Sequence, residues 1–178
     1  ELAEWIRQSD LDVDRALNLD GGPSTGLYLK DGTLSEQIDS LGVLPIYKAL
    51  AERGELTAHV AALLMADSKA TPADLDELDK VRQQFLGVPN LTLPGIKVFA
   101  DGVAEVPAQS AAMLEPYKNS KKSGELLIDP AHFGELVSAA DARGWLVHIH
   151  AIGDRAVRES LNGIEQARKD RQSGIPHS

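Results

Sequence analysis

Apolar residues recur at two different spacings in this chain, and the switch between them marks out its elements. Along Trp145-Leu146-Val147-His148-Ile149-His150-Ala151 the alternation is strict. Leu146, His148 and His150 share one face of a strand, while Val147, Ile149 and Ala151 share the other. The second face is wholly apolar, as expected of a strand roofed by helices. Gly95-Ile96-Lys97-Val98-Phe99-Ala100-Asp101 repeats this, setting Ile96, Val98 and Ala100 against Lys97, Phe99 and Asp101. Ala58 to Met65 is nearly continuous in apolar residues and predicts a third strand.

Helical signals fall between these strands. Leu44 to Arg53 predicts a short helix stopped by Gly54. Thr71-Pro72-Ala73-Asp74 supplies a cap, a proline at the first helical position and an acidic first turn, opening a helix to about Leu86. Gly87-Val88-Pro89-Asn90 breaks it. Asp129-Pro130 opens another helix to about Arg143, ended by Gly144, and Asp154 stands at the N-cap of a last one reaching about Lys169. Strands and helices in alternation predict βαβ units around a parallel sheet, with strands near 58–65, 95–101 and 145–151. Three strands cannot close a barrel, and a (β/α)₈ barrel needs on the order of 250 residues. The expectation is therefore a small open sheet or a slice of something larger.

Residues 1–40 are expected to form an irregular region with one hairpin. The turn clusters Asp20-Gly21-Gly22-Pro23-Ser24-Thr25-Gly26 and Lys30-Asp31-Gly32-Thr33 flank the apolar run Leu27-Tyr28-Leu29. These glycines do not follow a strand into a helix, so a phosphate loop is not expected.

The 178 residues suffice for a real core, and their 43% hydrophobic and 25% charged content is ordinary for a globular domain. A net charge of -9 argues against nucleic acid or an anionic membrane as partner. The absence of cysteine excludes disulfides, zinc–thiolate sites and thiol nucleophiles. No apolar run approaches the roughly 20 residues of a membrane span. The abrupt ends, Glu1-Leu2-Ala3 and Pro176-His177-Ser178, lead to the expectation of an internal segment.

The chemistry concentrates at the C-terminal ends of two strands, where α/β proteins place their sites. His148 and His150 are either rim residues or metal ligands, histidine being the commonest ligand. Lys97, in mid-strand and facing an interior, must be paired, deprotonated or chemically altered. Residue chemistry by itself favours an ion pair with Asp101; the sharper alternative is a carbamate formed with carbon dioxide. His132, in the first turn of its helix, should be solvated, and His59 structural. Lys118, Lys121 and Lys122 read as a mobile basic loop.

Taken together, Gly95-Ile96-Lys97-Val98-Phe99-Ala100-Asp101-Gly102, Ala111-Ala112-Met113-Leu114-Glu115-Pro116-Tyr117 and His148-Ile149-His150-Ala151-Ile152-Gly153-Asp154-Arg155-Ala156-Val157 resemble the amidohydrolase superfamily. They are most similar to its family 3 branch of YtcJ-like proteins and N-substituted formamide deformylases. The resemblance runs from about residue 42 to the end. It implies that 41–178 is part of a metal-dependent hydrolase (β/α)₈ barrel. It implies zinc or another divalent metal, Lys97 as a carboxylated bridging ligand, and His150 as a second metal ligand. His148, Asp101 and Asp154 match positions that line or brace the site, and the basic loop one that lies over its mouth. The family's first-strand His-x-His pair is missing here. Pro176-His177-Ser178 looks like the front of the sixth-strand run, and the eighth-strand aspartate, the general base, lies beyond. The resemblance implies a small-molecule substrate cleaved at a C–N bond (amide, formamide or cyclic amide) by metal-activated water, with this segment alone inactive. The rival from another class is a non-catalytic regulator of exoenzyme production on a degenerate barrel. A cut barrel exposes strand edges and apolar faces, so self-association is expected.

Overall fold

The computed structural model describes residues 15–17, 27–29, 40–170 and 175–177. β1 (Arg15–Leu17) pairs antiparallel with β2 (Leu27–Leu29), Ala16 opposite Tyr28. The turn clusters expected around Leu27–Leu29 lie outside the described residues. Then follow α1 (Ser40–Glu52), β3 (Val60–Met65), α2 (Asp74–Gln83), β4 (Leu91–Phe99), α3 (Pro130–Ala142), β5 (Leu146–His150) and α4 (Asp154–Asp170). β3, β4 and β5 form one parallel sheet in that order, so the α/β class with a parallel sheet is as expected.

β4 starts at Leu91 rather than near residue 95. Pro94 interrupts its sequence signal because proline has no N–H to give to a ladder. The sheet absorbs it by a register shift: Ala61 pairs with Thr92, and the next registered pair is Leu63 with Gly95. Gly95 is itself required, since a Cβ there would lie 1.9 Å from the carbonyl oxygen of Leu146 on β5.

The strand faces divide as the alternation requires. Leu64, Ile96, Val98 and Val147 are at most 1% exposed and pack in one cluster with Leu136, Val137 and Ala140 of α3 and Ala156 and Ala167 of α4. Each of the leucine, isoleucine and valine side chains contributes about 1.5–3 kcal/mol by leaving water. The opposite face, with Met65, Lys97, Phe99, His148 and His150, is only half-buried or exposed.

Caps act largely as anticipated. Asp129 accepts from Ala131 N–H ahead of Pro130, and His132 is solvated, its Nδ1 2.9 Å from Asp129 Oδ2. At α2 the direction is reversed: Asp74 accepts both the N–H and the O–H of Thr71, the acidic half of a capping box. His59 is exposed just before β3. Arg143 joins α3 to α2 through the Asp76 carboxylate.

His177 has a structural place. Its buried imidazole accepts the Val147 N–H at Nδ1 (3.1 Å) and donates from Nε2 to Asp141 Oδ1 (3.0 Å). A side chain thereby satisfies an outward-facing amide of β5. Among the described residues no helix is long and apolar enough to cross a membrane.

Candidate functional site

Parallel register brings the chemistry together. Lys97 lies opposite His148, and Phe99 opposite His150, across β4 and β5. Met65 of β3 flanks Lys97 on the other side. The Phe99 and His150 rings meet with centroids 4.9 Å apart, and Lys97 Nζ stands 5.3 Å from the Phe99 ring. Phe99 therefore buttresses both residues, one by ring contact and one by cation–π attraction.

Burial pushes the Lys97 ammonium below the ordinary lysine range. Burial, with the charge of Lys97 second, likewise pushes the His148 imidazole down and favours its neutral form. Lys97 has no ion pair among the described residues, and the expected Lys97–Asp101 bridge does not form.

The reason is where Asp101 goes. The strand ends at Phe99, so alternation no longer governs Asp101, and its side chain is wholly buried. Asp101 Oδ2 accepts the N–H groups of Ala112 (2.9 Å) and Gly153 (2.7 Å), and Oδ1 accepts that of Ile152 (2.9 Å). Three amide donors on a buried carboxylate outcompete a lysine that retains access to water. Asp101 thus ties the end of β4 to the following loop and to the turn after β5.

His150 is fixed by its neighbour. Its Nε2 lies 2.8 Å from Gly102 O, and because a carbonyl can only accept, the proton sits on Nε2. Nδ1 has no hydrogen-bond partner among the described residues. Asp101 Oδ1 is 3.9 Å from the same Nε2.

Asp154, expected as a helix cap, instead accepts the Leu114 N–H with Oδ1 (2.8 Å). The α4 amides of Arg155 and Ala156 donate to Ala112 O. The loop after β4 is ordered in its own right: Met113 N–H donates to Ser123 O, Tyr117 N–H to Lys122 O, and Tyr117 O–H to Ala111 O. Lys118, Lys121 and Lys122 stand exposed at its tip. Sequence reasoning missed Ala112, which has no functional group to notice. The available signal was its glycine neighbours: a Cβ on Gly153 would meet Ala112 O at 1.9 Å, and one on Gly124 would meet Ala111 O at 1.9 Å.

Among the described residues no three His, Cys, Asp or Glu side chains converge as a metal cage. Lys97 and His150 are donors of the right kind: an amine without an acidic partner, and an imidazole with one nitrogen uncommitted. A groove of about 180 Å³ lined by Arg82, Phe85, Leu86 and Leu91 to Leu93 lies at the opposite, N-terminal end of β4.

A family model described as "Amidohydrolase family" matches residues 25–174. The chain is 31% identical over 121 residues to the exoenzymes regulatory protein AepA of Pectobacterium carotovorum subsp. carotovorum, a match covering 67% of this chain and 25% of that protein. It is 33% identical over 82 residues to the "Putative amidohydrolase YtcJ" of Bacillus subtilis (strain 168), covering 46% and 15% respectively. An uncharacterized metal-dependent hydrolase from Pyrococcus furiosus superposes with a TM-score of 0.57 at 32% identity, over 71% of this chain and 26% of that one. One from Pyrococcus horikoshii OT3 gives 0.57 at 28%, over 76% and 26%. The chain thus spans about a quarter or less of the length of these relatives. With most of its length matched by that model, the chain belongs to the amidohydrolase family.

Proposed function

We propose that this chain supplies the β4 and β5 portion of a divalent-metal site, zinc by preference, in a (β/α)₈-barrel hydrolase that cleaves C–N bonds of a small molecule. The observation that carries this reading is Lys97: a half-buried amine with no acidic partner among the described residues, beside His150, whose Nδ1 is uncommitted among them. The metal-dependent hydrolases similar in structure support it.

When bound, the metal supplies polarisation of a substrate carbonyl and lowers the pKa of a water. The chain's own residues prepare for it. Burial holds the Lys97 amine toward its neutral form, which adds carbon dioxide and releases one proton to give an anionic carbamate. Phe99 holds the Lys97 stem and the His150 ring at fixed spacing. His148, kept toward neutrality beside Lys97, can accept or donate one hydrogen bond at the edge of the site. The ordered loop with Lys118, Lys121 and Lys122 covers the mouth. A catalytic zinc needs about three protein ligands, so Lys97 and His150 are completed by residues outside this chain, as is the general-base aspartate. By that count this chain alone hydrolyses nothing.

The test is metal content by elemental mass spectrometry, in this chain and in one lengthened to the span of its relatives, with carbon-13 spectroscopy of Lys97 under labelled carbon dioxide. Stoichiometric metal in the longer chain with a carbamate resonance supports the hydrolase. Metal in neither favours a second reading, a regulatory protein on a degenerate barrel, for which the similarity to AepA speaks.

A further inference from the structure

The group that organises this site is neither of the proposed ligands. Asp101 is 0% exposed, and among the described residues its carboxylate pairs with no lysine or arginine; its hydrogen-bond donors there are three main-chain amides drawn from two separate segments. Charge-assisted bonds of this kind are about twice as strong as neutral ones. A buried carboxylate so satisfied is expensive to disturb. Gly102, whose carbonyl receives the His150 Nε2–H, is the next residue. A Cβ on Gly102 would meet Ser110 Oγ at 2.2 Å, so this turn is pressed against the loop that Asp101 also holds. Ser110 Oγ in turn accepts the Val103 N–H.

The carbonyl that selects the His150 tautomer is therefore immobilised on both sides. Before it lies the Asp101 carboxylate, anchored to Ala112, Ile152 and Gly153. After it lies the Val103–Ser110 contact. The negative charge of Asp101, 3.9 Å from Nε2, favours a proton on that same nitrogen.

We propose that Asp101 is a positioning residue which, through the Gly102 carbonyl, holds His150 in the Nε2–H tautomer with Nδ1 turned out as the ligating nitrogen, and locks the Ala111–Glu125 loop to the same frame. It touches neither metal nor substrate. The proposal rests on the metal reading only for what Nδ1 finally binds.

The test is nitrogen-15 spectroscopy of the histidine rings in this chain, with amide hydrogen exchange, in the unaltered protein and in Asp101→Asn. In the unaltered chain His150 should show a bare Nδ1 and a protonated Nε2; a protonated Nδ1 would overturn the proposal whatever the variant does. In Asp101→Asn, exchange at Ala112, Ile152 and Gly153 should quicken by about ten- to a hundred-fold, the loss expected for a bond to a charged group. Leu114 should follow, the His150 tautomers should mix, and core amides such as Val98 should keep their rates. Uniform acceleration with an unchanged His150 ring would mean a general structural role and would also overturn it. Zinc added to the chain lengthened to the span of its relatives reports separately. An Nδ1 resonance that ignores zinc would count against the metal reading while leaving the tautomer result intact.

Discussion

His177 donates from Nε2 to Asp141 Oδ1 at 3.0 Å while its Nδ1 receives the Val147 amide at 3.1 Å, so one neutral tautomer serves both partners. Burial pushes this imidazole below its ordinary pKa of about 6.5, outweighing the pull of Asp141. Below that pH the unfolded chain binds the proton and the folded chain resists it. Stability from His177 is therefore complete above about pH 6.5 and lost as pH falls toward the depressed folded value. Denaturant midpoints should drop between pH 7.5 and pH 5, and His177→Asn should flatten that slope. His132, raised by the hydrogen bond it donates to the Asp129 carboxylate, acts in the opposite sense, its stability lost as pH rises. Being fully exposed, it should not mask the trend. Asp74 and Asp129, both lowered, lose their contributions only as pH falls below about 4.

Gly153→Ala should destabilise the fold by about 2–4 kcal/mol, because the new methyl would meet a backbone oxygen that is itself hydrogen-bonded. Gly87→Ala meets nothing within 4 Å, and only its left-handed backbone (φ 76°) opposes the change, at about 1–2 kcal/mol. Urea titration of the two variants side by side checks the ordering; equal losses would show that the Gly153–Ala112 contact is loose.

Lys97→Met should change stability by less than about 1 kcal/mol, since no ion pair is broken and an apolar stem still covers Phe99. Had Lys97 been paired with a buried Asp101, the cost would be about 3–5 kcal/mol. Chemical denaturation of this one variant separates the two.

Self-association is the fourth expectation. Among the described residues β3 ends the sheet, with Ala61 and Met65 exposed, and Val157 and Leu161 form an exposed apolar pair one turn apart on α4. Sedimentation velocity across a concentration series should show growing mass. Ala61→Lys, a charge on the edge strand, should suppress it. A constant monomer mass throughout would refute the expectation.

Much of the fold was legible because it rests on period. The faces of β4 and β5 follow from alternation, and the placement of Lys97 and His150 on one surface follows from those faces. Pro94 hid the start of β4, since a proline inside a ladder looks like a break until a register shift accommodates it. Asp101 defeated the face rule for a different reason: periodicity expires with the strand, and the three amides that capture this carboxylate come from segments about 11 and 51 residues away. The same holds for His177, whose partners are 30 and 36 residues distant. Long-range satisfaction of a buried polar group leaves no local trace in sequence.

Ala112 gives its amide to Asp101 and its carbonyl to the first amides of α4, so a residue with only a methyl side chain is clamped at both ends of its peptide unit. The loop cannot swing from its root like a door. Displacing it would break the Ala112 bond to the Asp101 carboxylate and both bonds to α4 amides at once, or carry the first turn of α4 along. Whatever opening a passing molecule demands must be found farther out, between Tyr117 and Lys122, so the lysine tip can bend while the base stays riveted.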